Sequence, residues 1–229
     1  MKLFHSRCWT LFAVAFLLSP LAAFAASASS SAPAEATPNG PKLSFRRVFK
    51  GSTPEFIEIV VYQNSDNATY DIRQLDEDPE ALPFEVSSGL RTRMFDLAAQ
   101  LKHFQGQDLD VHRKIANLGE KTFRWEQGSE AHETKFNYTL NSQAAQLLQI
   151  FEGLARQQEN VMLILRRMKY DRLGVNDALL QFESDLNHSL LPEPQRALPM
   201  LDQIANDPRY VDIARQRARN LADRIRHQG

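Results

Sequence analysis

Cysteine is almost missing from this chain. Of 229 residues only Cys8 is one. It stands ahead of an apolar run, "WTLFAVAFLLSPLAAFA", that Lys2 and Arg7 precede with positive charge. A basic start, an apolar middle and small residues at Ala23–Ala25 read as a secretory signal peptide over 1–25, cleaved after Ala25. The run is broken by Ser19 and Pro20 and is shorter than the roughly 20 residues of a bilayer span. On this reading the mature chain carries no thiol. That excludes disulfides, thiolate metal sites, cysteine nucleophiles and redox dithiols, and leaves packing to hold the fold.

Glycine is also scarce, at nine residues, and the six histidines His5, His103, His112, His132, His188 and His227 are scattered. No glycine-rich phosphate loop, His-Glu-x-x-His or Gly-x-Ser-x-Gly occurs. The sequence therefore assigns no catalytic residue, no cofactor-binding residue and no metal ligand, and leans away from an enzyme. Excess positive charge is missing too. Losing Lys2 and Arg7 with the leader takes the net charge from −1 to about −3, which offers no general nucleic-acid footprint. Sequons at Asn67, Asn137 and Asn187 matter only in a eukaryotic secretory route, and a cysteine-free exported chain suits a bacterial periplasm better.

What is present is a tether and one folded body. "ASASSSAPAEATPNGP", residues 26–41, is small, polar and proline-bearing, the composition of a disordered linker. An α+β domain is expected over 42–171 and a helical extension over 172–229.

The run most like a site is "KTFRWEQGSEAHETKFNYT", Lys121 to Thr139. A two-residue turn at Gly128-Ser129 sets Glu126 against Ala131, Trp125 against His132, Arg124 against Glu133 and Phe123 against Thr134. Phe123, Trp125, Phe136 and Tyr138 then share a buried face with His132 at its rim. Arg124, Glu126, Glu133 and Lys135 share the solvated one. Structure accounts for the run without chemistry. A second hairpin, "EFIEIVVYQNSDNATYDIRQL", turning at Ser65-Asp66, pairs Val61 with Tyr70, Ile59 with Ile72 and Glu58 with Arg73. "LSFRRVF", Leu43 to Phe49, adds a fifth strand.

Helical spacing appears between and after the hairpins. Leu90, Met94, Leu97, Leu101 and Phe104 recur at threes and fours behind a cap at Ser87 or Ser88, predicting a helix to about Phe104. From Asn141 or Ser142, the stripe Leu147, Phe151, Leu154, Val161, Leu165 and Met168 predicts a helix of roughly 45 Å reaching Tyr170. It outreaches a small sheet, so its second half needs partners. "RLGVND" restarts the chain for a stripe at Leu179, Phe182, Leu186 and Leu190. "PEPQRALP" breaks it, and "NDPRY" starts a last helix with Asp207 as cap and Pro208 at its first position. The fold class is α+β: an antiparallel sheet of about five strands in a ββαββα-like unit packed on helices, with a C-terminal helical extension.

Two basic stretches stand out. Arg209, Arg215, Arg217, Arg219, Arg224 and Arg226 load the last helix and read as a solvated face rather than a lipid-binding one. "KYDRLG", Lys169 to Gly174, reads as a helix end capped by Lys169 and Arg172. The functional expectation is an exported, soluble, non-enzymatic envelope or periplasmic protein that binds another envelope protein. The alternatives are a small carboxylate-dependent hydrolase and a carrier of an apolar ligand between sheet and helices. No cofactor, nucleic-acid partner or stable membrane span is expected of the mature chain.

Overall fold

The computed structural model describes residues 40–228; the expected leader, and the expected linker as far as residue 39, lie outside the described residues. Six strands form one antiparallel sheet: β1 (Lys42–Val48), β2 (Phe56–Tyr62), β3 (Asn67–Arg73), β4 (Leu82–Glu85), β5 (Glu120–Gln127) and β6 (Glu130–Phe136). Their spatial order is β4-β3-β2-β1-β5-β6. Five helices accompany them among the described residues: α1 (Ser88–Gln100), α2 (Ser142–Tyr170), α3 (Val175–Asn187), α4 (Leu198–Asn206) and α5 (Asp212–Gln228). The α+β class holds, with one strand more than expected.

The β5–β6 hairpin has the register its turn dictates. Trp125 faces His132, Arg124 faces Glu133 and Phe123 faces Thr134. Gly128 sits at φ +60°, the left-handed backbone that such a turn asks for at its first central position. Tyr138 is a correction: β6 ends at Phe136 and the tyrosine is exposed beyond it. The β2–β3 hairpin is a second. Val61 faces Ala68, Ile59 faces Tyr70 and Glu58 faces Asp71, so the turn centres on Asn64-Ser65, one residue earlier than expected. Because the pairing slipped by an even number, every side chain kept its face. Asp66 is drawn off the turn tip, its carbonyl accepting from Val86 N–H and its carboxylate pairing with Arg91.

One face of the sheet packs on α1 and α2. Its centre is aromatic: Phe123 lies 5.1 Å from Phe136, 5.4 Å from Phe104, and 5.9 Å from both Phe45 and Phe151, ring centre to ring centre. The other face carries ion pairs, Arg124 to Glu126 and Glu133 at 2.9 and 3.1 Å and Arg73 to Asp71 at 3.0 Å.

Helix α1 is capped by Ser87, whose side chain accepts from Leu90 N–H. It stops at Gln100 rather than Phe104. Lys102, His103 and Phe104 all take positive φ, a left-handed turn that drops the Phe104 ring into the core and lays His103 on Trp125 at 4.5 Å. Helix α2 is capped by Asn141 and is about 43 Å long at 1.5 Å per residue. Its first half closes the sheet core. Its second half belongs to another cluster, where Ile164 packs with Val175, Leu179, Phe182, Leu201, Ile204, Ala218 and Leu221. Leu165 lies outside that cluster and is 49% exposed, although Val161 and Met168 of the same stripe pack against the cluster.

Two further corrections concern the C-terminal region. The proline-rich break contains a short 3-10 turn, Pro194–Ala197, leading straight into α4, where Pro199 occupies an early helical position that costs no hydrogen bond. Asp207 does not cap α5 directly. It closes a turn, its carbonyl accepting from Tyr210 N–H and its carboxylate from Arg209, and α5 begins at Asp212.

Candidate functional site

Site chemistry has to be assembled from distant segments here, because no single stretch holds it. The outer face of the first half of α2 floors a groove of about 610 Å³. Leu90 and Arg93 of α1 wall one side, and Leu118, Lys121 and the Asn137–Thr139 segment wall the other. Ser189, Leu190 and Pro192 close the far end. Gly153 makes that end possible: a Cβ there would stand 2.8 Å from Pro192 Cγ and 3.0 Å from the Leu190 carbonyl oxygen. Gly153→Ala is therefore expected to destabilise by about 1–3 kcal/mol, against the gain of up to about 1 kcal/mol that alanine brings to an open helix position. Thermal unfolding reads it, and a rise in melting temperature contradicts the close approach.

The groove wall beside β5 rests on a buried lysine. Lys121 is 5% exposed, and its Nζ donates to the carbonyl oxygens of Asn137 at 2.9 Å, Leu118 at 3.2 Å and Gly119 at 3.4 Å. Asn137 returns the bond, its side chain accepting from Leu118 N–H and donating to the Ala116 carbonyl. Lys121 thus fastens the 105–119 loop to the end of β6. Burial lowers its pKa.

On α2, Glu152 looks into the groove, and Glu159 follows two turns further along the helix. Neither makes a hydrogen bond or ion pair among the described residues. Burial pushes both carboxyls above their usual range, and the neighbouring positive charges, Lys121, Arg47 and Arg156 for Glu152, only partly offset it. A carboxyl raised in the folded state is most favourable to folding below pH 4.5, its unfolded value, and that advantage is lost as pH rises through the raised value. Glu152→Gln should therefore raise the melting temperature at pH 7, with the gain closing below pH 4.5. An equal gain at both pH values would contradict the buried charge.

The residues weighed from sequence fall elsewhere. His132 is half-buried at the rim of the sheet, stacked on Trp125 at 5.9 Å. Among the described residues no group of histidine, aspartate and glutamate has the arrangement of a metal site. The "KYDRLG" end is held by Asp171 and Arg167 rather than by Lys169 and Arg172: Asp171 pairs with Arg167 and accepts from Gly174 N–H at 3.0 Å. The arginines of α5 and the turn before it are bound to protein groups, not merely solvated. Arg217 and Arg224 both reach Glu183 of α3, Arg226 reaches Asp202 of α4, and Arg219 donates to the Ala205 carbonyl. They clamp α5 between its neighbours.

Chemically, the groove offers apolar walls, a half-buried acid and two exposed arginines, Arg93 and Arg156, the second 3.3 Å from Asp185. No signal in the sequence pointed to it, since its parts come from α1, the 105–119 loop, α2 and the 189–192 segment. Compared with known proteins, the chain matches no family model and no curated sequence.

Proposed function

We propose that this chain is an exported, soluble envelope protein that works by holding a segment of a partner protein in the groove over α2. One observation carries the reading: the groove is open, and apolar walls alternate in it with exposed arginines. That surface suits a segment presenting apolar side chains beside carboxylates. The open face of the sheet suits a partner less well, since ion pairs within and across its strands already occupy it. A carrier for an apolar ligand between sheet and helices gains little support, because phenylalanines fill that space.

Export rests on the leader-like residues 1–25. The test is a pull-down from the native envelope fraction with wild type and with an Arg93→Glu/Gln149→Glu variant. Both positions are exposed, so the variant should melt as wild type does. A partner retained by wild type and lost by the variant supports the reading; a partner held equally by both, or no partner at all, contradicts it.

A further inference from the structure

Between Arg166 and Arg226 the lysines and arginines divide into two groups, with Arg219 apart from both, unpaired with a carboxylate among the described residues but bonded to the Ala205 carbonyl. Arg167, Arg196, Arg209, Arg215, Arg217, Arg224 and Arg226 each make an ion pair with a carboxylate. Arg166, Lys169 and Arg172 make none among the described residues. These three lie within seven positions of each other, at the end of α2 and in the turn to α3, and all are exposed. The same short stretch holds the two most exposed large hydrophobic side chains among the described residues, Tyr170 at 73% and Leu173 at 75%. Met162 and Leu165, also exposed, share a helix face with Arg166 and Lys169 through spacings of three and four.

The acids nearby are mostly engaged. Asp171 is held by Arg167, and Asp207 by Arg209, with Arg172 close enough to help hold the Asp207 carboxyl down at about 2. Asp177 remains, in the first turn of α3, where the helix dipole favours it. Lys169 Nζ lies 4.9 Å over the exposed Tyr170 ring, a cation–π contact that leaves it without a carboxylate partner among the described residues.

We infer that this tip is a docking surface for an anionic lipid bilayer. A tyrosine and a leucine standing out of a helix-to-helix turn, ringed by unpaired cations, match what the interfacial layer takes up: apolar and aromatic groups to the acyl boundary, cations to the headgroups. A protein partner of similar charge would need a cavity shaped to a projecting tip, whereas a bilayer deforms around it. The contact is peripheral and reversible. It is separate from the groove, and it would bring a groove-held partner to the membrane surface.

The experiment uses the full chain and vesicles of phosphatidylcholine alone or mixed equally with phosphatidylglycerol. Wild type should sediment with the anionic vesicles and be released by salt. R166E/K169E/R172E should bind at least on the order of a hundredfold more weakly, roughly fivefold for each of the three cations lost, with the three added carboxylates repelled in turn. Y170S/L173S should weaken binding at all salt concentrations. All five positions are exposed, so unchanged melting temperatures are expected. The inference is overturned if wild type ignores anionic vesicles, or if the charge-reversed chain binds them as wild type does, which would place the attraction in the apolar N-terminal run both chains share.

Discussion

Phe123→Ala will lower the stability of the fold by about 3–5 kcal/mol, a fall on the order of 10 °C in melting temperature for a domain of this size. The ring is completely buried and meets four others, Phe45, Phe104, Phe136 and Phe151, within 6 Å. These come from β1, the left-handed turn after α1, β6 and α2, so one side chain ties four elements together. A cavity there cannot collapse cheaply, because a strand backbone bounds it on one side and a helix on the other. Calorimetry of the variant measures the loss. A change below about 1 kcal/mol would mean that the sheet core is not organised around this ring.

Phe182→Ala should cost a similar 3–5 kcal/mol, and in the same transition. The residue is completely buried in the second cluster, away from the sheet. Two facts make the clusters cooperate. Helix α2 runs through both, and the segment between α3 and α4 is stitched to the α+β part. Glu193, buried, accepts from the N–H of the α1 cap residue Ser87, its own N–H donates to Gln157 Oε1, and Arg196 pairs with Glu85 of β4. Opening the extension would strip partners from buried polar groups on both sides, a cost of about 1–3 kcal/mol for each. A single shifted transition is therefore expected for both phenylalanine variants. Two separate transitions, with only one moved by Phe182→Ala, would show the extension melting alone.

Much of this architecture was legible in the chain. Gly128-Ser129 admits one tight turn, and from it the whole β5–β6 register follows. Around Asn64-Ser65-Asp66-Asn67 every residue is a turn former, so composition could not choose between neighbouring centres; Asp66's tie to the β4–α1 junction chose. Strand β4 is four residues with a proline, too short for alternation to register, and it exists because β3 offers it an edge. Helix α4 hid behind Pro192, Pro194 and Pro199, which punctuate a sequence before they can be seen as helix starts.

The groove is illegible for a different reason. Lys121 looks like the charged start of a strand, and only the fold reveals that its ammonium is buried among three carbonyls. Glu152 is a lone acid between Phe151 and Gly153 of a long helix, and only the neighbouring wall makes it half-buried. Gly153 is one glycine in a helix until Leu190 and Pro192 cross over it.

The groove's role is tested most directly by site-specific photo-crosslinking in intact cells. A photoreactive residue at Gln149, exposed on the groove floor, is compared with one at Glu133 on the open face of the sheet. The account predicts a discrete protein adduct from position 149 and none from 133. An adduct from 133 with none from 149 would contradict it and move the partner to the sheet.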